Sequence, residues 1–144
     1  MPVRWFEDWE VGEVHDYGRY TVTEEEIVAF ARQFDPQPFH IDPEAAQASP
    51  YGGIIASGWH TGALWMRMHV DAQIGERNPA AIGSPGLLEL RWVKPVRPGD
   101  TLRCRSTLIE KVELRSRPDR GILRSRHEVF NQDDEIVMWS SARA

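Results

Sequence analysis

Asp35 and His40 are a carboxylic acid and an imidazole separated only by Pro36, Gln37, Pro38 and Phe39. Two prolines this close lock φ at alternate positions and remove backbone donors. The stretch is therefore expected to be stiff and non-helical, able to hold two side chains at a fixed separation. A carboxylate beside an imidazole supplies a base and an acid, with the Asp orienting the ring and adjusting its proton affinity. Taken alone, an Asp that closes a turn and a His satisfied in the core is the ordinary reading of such a pair. The residues around them are what make chemistry the better one.

Those surroundings read as helices meeting at a loop. Thr23 is a helix cap with Glu26 three residues on, a capping box. The helix it opens, through Ile27, Val28, Phe30 and Ala31, must end before Asp35-Pro36, because a residue preceding Pro is pushed out of the helical region. Asp42-Pro43 starts a short helix to about Ala48, which stops at Ser49-Pro50-Tyr51-Gly52-Gly53. A longer helix follows from about Ser57 to Gln73, with Trp59, Gly62, Ala63, Met66 and Val70 on one face. Leu64, Trp65 and Met68 widen that apolar surface, so burial on most sides is expected. Asp16 to Thr21 reads as a short strand.

From Gly86 the hydrophobic period changes to two. Leu88, Leu90 and Trp92 alternate with Glu89 and Arg91, and PVRPGD makes the turn that follows. Strands are expected at Thr101 to Val112, Gly121 to Asn131 and Glu135 to Ala142, the last two joined by a hairpin loop over 131–135. One long buried helix followed by antiparallel strands is an α+β arrangement, within a single domain spanning 1–144.

Bulk composition removes several classes of function. The chain has 144 residues and a net charge of −5, which disfavours a nucleic-acid partner. The Arg-rich stretch Arg115 to Arg126 reads first as a solvated strand and turn, and second as a phosphate contact for a nucleotide-tailed substrate. Cys104 is the only cysteine, so no internal disulfide can form, and its strand-like setting suggests a small buried hydrophobe. No signal peptide and no membrane-length apolar run is evident, so a cytoplasmic protein without a membrane partner is expected. His15, His60, His69 and His127 lack metal spacing, and no G-x-S-x-G elbow or phosphate-binding glycine loop is present. Several of the six Trp residues are expected to line a core, a pocket or an interface.

The order Asp35-Pro-Gln-Pro-Phe-His40-Ile-Asp42, with Ala45 and Ala46 after it, resembles the signature of the MaoC-like dehydratases, the family that includes the (R)-specific enoyl-CoA hydratases. Gly52-Gly53-Ile-Ile-Ala-Ser57-Gly58-Trp59 resembles the family's glycine-containing entry to its long helix. Leu88 to Asp100 resembles its central strand and turn. The resemblance implies a hot-dog fold, a long helix wrapped by an antiparallel sheet, assembled as a homodimer or higher homo-oligomer. It implies reversible hydration of a trans-2-enoyl-CoA, with no cofactor beyond the CoA thioester that is the substrate. Asp35 and His40 would hold and activate water, either one serving as the base. Gly58 would donate its backbone N–H to the thioester carbonyl.

Physics supports the last role, since unpaired N–H groups and a positive dipole end gather at a helix start, and glycine admits a close ligand. The alternative is that Gly58 relieves crowding there. Ser57 is expected to cap the helix. Trp59 either narrows an acyl tunnel or, more simply, packs in the core. The family's usual Asn is Gln37 here, which shifts the reach of the amide and bears on substrate range or turnover. Two other functions compete. A hot-dog thioesterase would want a carboxylate on the central helix, which offers only Asp71 near its end. A non-catalytic acyl-CoA-binding module is the other, and Gln37 is its best support.

Overall fold

The computed structural model describes residues 3–74 and 78–144. After a 3-10 turn at Phe6–Asp8, strand β1 (Val14–Thr21) leads into helices α1 (Glu24–Phe34), α2 (Pro38–Ile41), α3 (Pro43–Ala48) and α4 (Gly58–Gln73). Four strands complete the chain, β2 (Gly86–Trp92), β3 (Thr101–Glu113), β4 (Gly121–Phe130) and β5 (Ile136–Arg143). They form one antiparallel sheet in the order β1-β3-β4-β5-β2. A single sheet beside one long helix is the α+β hot-dog arrangement that the sequence leads one to expect.

Local chemistry sets these boundaries. Thr23 Oγ1 accepts from Glu26 N while Glu26 Oε1 accepts from Thr23 N, so the capping box closes both ways. Asp42 Oδ1 accepts from the backbone of Glu44 and Ala45 and caps α3. Asn131 Oδ1 accepts from the amides of Asp133 and Glu135, and Asp134 takes a positive φ to complete the β4–β5 turn. Along β3, Leu102, Cys104, Ser106 and Leu108 alternate inward. Leu102 and Cys104 meet Val129, Val137 and Met138 from the sheet, and Leu64, Trp65 and Met68 from α4. At Gly18 the β1–β3 register slips and φ is +81°; a Cβ there would lie 2.6 Å from Met68 Sδ. The glycine lets β1 bend closely over α4.

Three expectations need correction. Residues 38–41 form a helical turn despite the prolines, because Pro38 sits at its first position, where a missing N–H costs nothing. The packed face of α4 is His60, Thr61, Leu64, Trp65 and Met68, whereas Trp59, Ala63 and Met66 face outward. The periodicity was shared by two faces, and buried polar residues at 60 and 61 hid the inner one. Trp59 is accordingly no core residue, being 63% exposed. Of the six tryptophans only Trp65 belongs to the core. Strand β2 lies at the sheet edge with only Leu90 turned toward the core.

Cys104 is the buried small residue expected, its Sγ 3.9 Å from Met68 Sδ and its thiol pushed up to about 12 by burial. Arg117 and Arg124 in the arginine-rich stretch pair with Asp119 and Glu110 at the surface. Among the described residues, no helix is long and apolar enough to cross a membrane, and no cluster of His, Cys, Asp and Glu could hold a metal ion.

Candidate active site

The site is assembled where α1 ends and α4 begins. Asp35 is the C-cap of α1, its amide still bonded to Ala31 O, so its side chain leaves the helix end at a fixed angle. Gln37 stands at the N-cap position of α2 without a side-chain cap, and the single turn that follows turns His40 inward, 4% exposed. The segment ahead of α4 is stitched to that turn. Ile55 N donates to Phe39 O at 3.2 Å, and His40 Nδ1 donates to Ile55 O at 2.6 Å. Ala56 N donates to Val96 O in the turn after β2. These bonds fix residues 54–57, and with them the start of α4, against the turn that carries His40.

The two predicted residues meet. His40 Nε2 lies 3.3 Å from Asp35 Oδ2. A carbonyl oxygen can only accept, so the bond to Ile55 O places a hydrogen on Nδ1. In the neutral ring Nε2 then carries a lone pair, and it stands beside a carboxylate oxygen. Asp35 Oδ1 accepts from Gln37 Nε2 at 2.7 Å. Burial raises the proton affinity of Asp35, but Ser57, the Gln37 amide and the His40 ring together outweigh it and hold the carboxyl below its ordinary value. Two acceptors side by side can each take one hydrogen of the same water molecule, leaving an oxygen lone pair pointing outward. Once Nε2 is protonated, the pair becomes a charge-assisted contact.

Ser57 occupies the cap position of α4, as the sequence suggests, but its hydroxyl caps nothing. Its Oγ is sealed from water and meets no partner of good hydrogen-bond geometry, so its influence on Asp35 is that of a nearby dipole. The amides of Gly58 and Trp59 likewise have no acceptor among the described residues, as the first turn of a helix requires. Two free amides thus follow directly on Ser57, whose dipole acts on Asp35. A developing negative oxygen is what such an array stabilises.

Gly58 itself is explained by a contact no sequence signal announced. A Cβ at this position would fall 2.5 Å from Cε2 and 2.6 Å from Cδ2 of Trp92, whose indole lies against the helix start. Crowding therefore accounts for the glycine on that side, and Trp59 packs edge-on to the same indole with ring centroids 5.0 Å apart. Ile55 O and Trp92 are the two participants that sequence reasoning missed. The first is a backbone group, and the second lies on a strand remote in sequence from the helix it covers.

The chain's similarities agree with this architecture. A family model described as MaoC like domain matches residues 9–129. The uncharacterized protein YdeM of Bacillus subtilis is 30% identical over 91% of this chain and 90% of its own length. The 3-hydroxyacyl-thioester dehydratase Z of Mycobacterium tuberculosis is 38% identical over 65% of this chain and 62% of its own. Among solved structures, a MaoC-like dehydratase from Rhodospirillum rubrum superposes with a TM-score of 0.89 at 43% identity, covering 97% of this chain and 94% of that one. The R-hydratase PhaJ1 from Pseudomonas aeruginosa gives 0.75 at 27% identity, covering 96% and 82%. Family match, fold and the Asp35–His40 geometry converge, and the chain belongs to the MaoC-like dehydratase family.

Proposed function

We propose that this protein adds water reversibly across the double bond of a trans-2-enoyl thioester, with CoA as the carrier. The observation that carries the reading is the Asp35–His40 pair at 3.3 Å with Nδ1 of the ring already committed to Ile55 O. A water donating to both acceptors attacks C3. Asp35 is held below its ordinary carboxyl value and stays the anion, so the imidazole Nε2 takes the water's proton. Electron density moves through C2 onto the thioester oxygen, where the Gly58 and Trp59 amides can meet it. The proton on Nε2 then passes to C2, and Asp35 balances the imidazolium in between. Dehydration is the same sequence reversed.

The thioesterase alternative finds little support. Asp71, the one carboxylate on α4, is exposed and paired with Arg67 at 3.0 Å. We further propose that a second copy of the chain covers the outward stripe of Trp59 and Met66 and the free edge of β2, where Leu88, Trp92 and Val93 stand exposed. Apolar residues in one contiguous area of this kind mark an interface.

A panel of trans-2-enoyl-CoA substrates from crotonyl upward tests the activity. Loss of the enoyl-thioester absorbance without release of free thiol is expected. Thiol release from saturated acyl-CoA with no hydration would overturn the reading in favour of hydrolysis, and tight binding without turnover in favour of a non-catalytic module.

A further inference from the structure

A cavity of about 780 Å³ opens at the opposite end of α4 from Gly58, lined by the sheet, the N-terminal segment and residues 78–83. Neither Asp35 nor His40 lines it. Its mouth and walls are largely apolar, with Trp5, Phe6, Ile82 and Leu114 among them. Its polar lining is of another kind. His127, Ser106 and Asn78 are each more than nine-tenths buried, and His69 and Gln73 stand beside them.

These polar groups are under-used. The rings of His69 and His127 lie 5.1 Å apart at their centroids, and among the described residues neither makes a hydrogen bond of good geometry to a fixed partner. Nδ1 of each, and Oδ1 of Asn78, are sealed from water without a partner. Buried polar groups are normally partnered, so a cluster of unpartnered ones at a cavity wall is more than core packing requires. Burial holds His127 down to about 3, with the His69 ring adding to it, and burial also lowers His69. Both rings are therefore neutral at pH 7, each presenting one donor and one acceptor. Charged residues also line the cavity, Arg4, Arg115 and Arg120 with Glu7, Glu113 and Asp119, whereas the cluster of His69, His127, Asn78 and Ser106 offers only neutral partners. A hydroxyl can both donate, as Asn78 Oδ1 needs, and accept, as an imidazole N–H needs.

We propose that this cavity binds an apolar ligand bearing a neutral hydroxyl, and that His69, His127 and Asn78 select for that hydroxyl. The group could arrive on a free small molecule or at the far end of the acyl chain of the thioester. Only the second source rests on the hydratase reading.

Two arms of one experiment separate them. In the first, the wild-type protein is titrated with p-cresol and with toluene, following tryptophan fluorescence and the histidine ring signals by NMR. Binding of p-cresol at least ten-fold tighter than toluene, with His127 signals shifted, is expected, and Asn78→Leu should remove the preference. In the second, kcat/KM is compared for medium-chain enoyl-CoA substrates with and without a terminal hydroxyl. A preference of about ten-fold, abolished in His127→Phe or Asn78→Leu, assigns the site to the acyl chain, whereas preference in the first arm alone assigns it to a free ligand. Wild-type selectivity decides the matter even if a variant fails to fold. Equal treatment of hydroxylated and plain ligands in both arms overturns the proposal. Absence of all turnover would speak against the hydratase reading and leave the first arm to decide.

Discussion

The indole of Trp92 fills the space a side chain at residue 58 would need, 2.5 Å from where that Cβ would stand. An edge strand and the first turn of α4 are thereby locked together at the point where the helix offers its free amides. Gly58→Ala should force the indole aside and destabilise the fold by about 1–3 kcal/mol, the usual cost of overpacking. Combined with Trp92→Ala, the penalty should largely vanish, since residues in contact are not additive. Chemical denaturation of the four proteins of that cycle measures it, and additive losses would exclude the contact as the cause.

Gln37 departs from the family's usual Asn, and its amide donates to Asp35 Oδ1 at 2.7 Å. Gln37→Leu removes a bond that holds the carboxylate ionised, so protonation of Asp35 should begin at higher pH. The expected result is a roughly ten-fold lower kcat/KM and a titration of the Asp35 carboxyl, followed by carbon NMR, displaced upward. Gln37→Asn should fall between the two. An unmoved Asp35 titration in Gln37→Leu would show that the amide does not tune the carboxylate.

Glu13 has a depressed carboxyl of a different kind, held down to about 2. Burial works against this, and Arg4, the Glu10 amide and His15 overcome it. Arg4 reaches it with two nitrogens, each at 3.0 Å, tying the N-terminal segment to the edge of β1. A carboxylate bound more tightly as an anion in the folded state stabilises it above the unfolded value near 4.5. That contribution is lost as pH falls from there toward about 2. Glu13→Gln should therefore cost about 1–2 kcal/mol at pH 7 and progressively less below pH 4. Denaturation midpoints of both proteins across that range are the check.

Cys104 packs against Met68 with a thiol raised to about 12. A thiol reagent should leave the native protein unmodified over hours at pH 8 and react fully once the chain is unfolded.

Much of this was legible in the chain itself. Thr23, Asp42 and Asn131 act within a few residues of themselves, so their caps and turns could be read directly. The Asp35–His40 pairing was also local, although Pro38 starts a helical turn where a rigid extended loop was expected. What stayed hidden depended on distant segments. Which face of α4 is inward follows from how β1 and β3 cross it, and apolar residues on both faces gave no sign. Trp92 meeting Gly58 and Ile55 O orienting His40 needed the sheet edge and the pre-helix segment to be in place. The exposure of Trp59 reflects a surface that a single chain leaves uncovered.

Comparing wild type, Asp35→Asn and His40→Ala in crotonyl-CoA hydration, with thermal unfolding in parallel, tests the central claim most directly. Both substitutions should lower kcat/KM by at least a hundred-fold while the proteins remain folded, because the water needs both acceptors and the proton needs Nε2. Full activity in either folded variant would contradict the assignment of water activation to this pair.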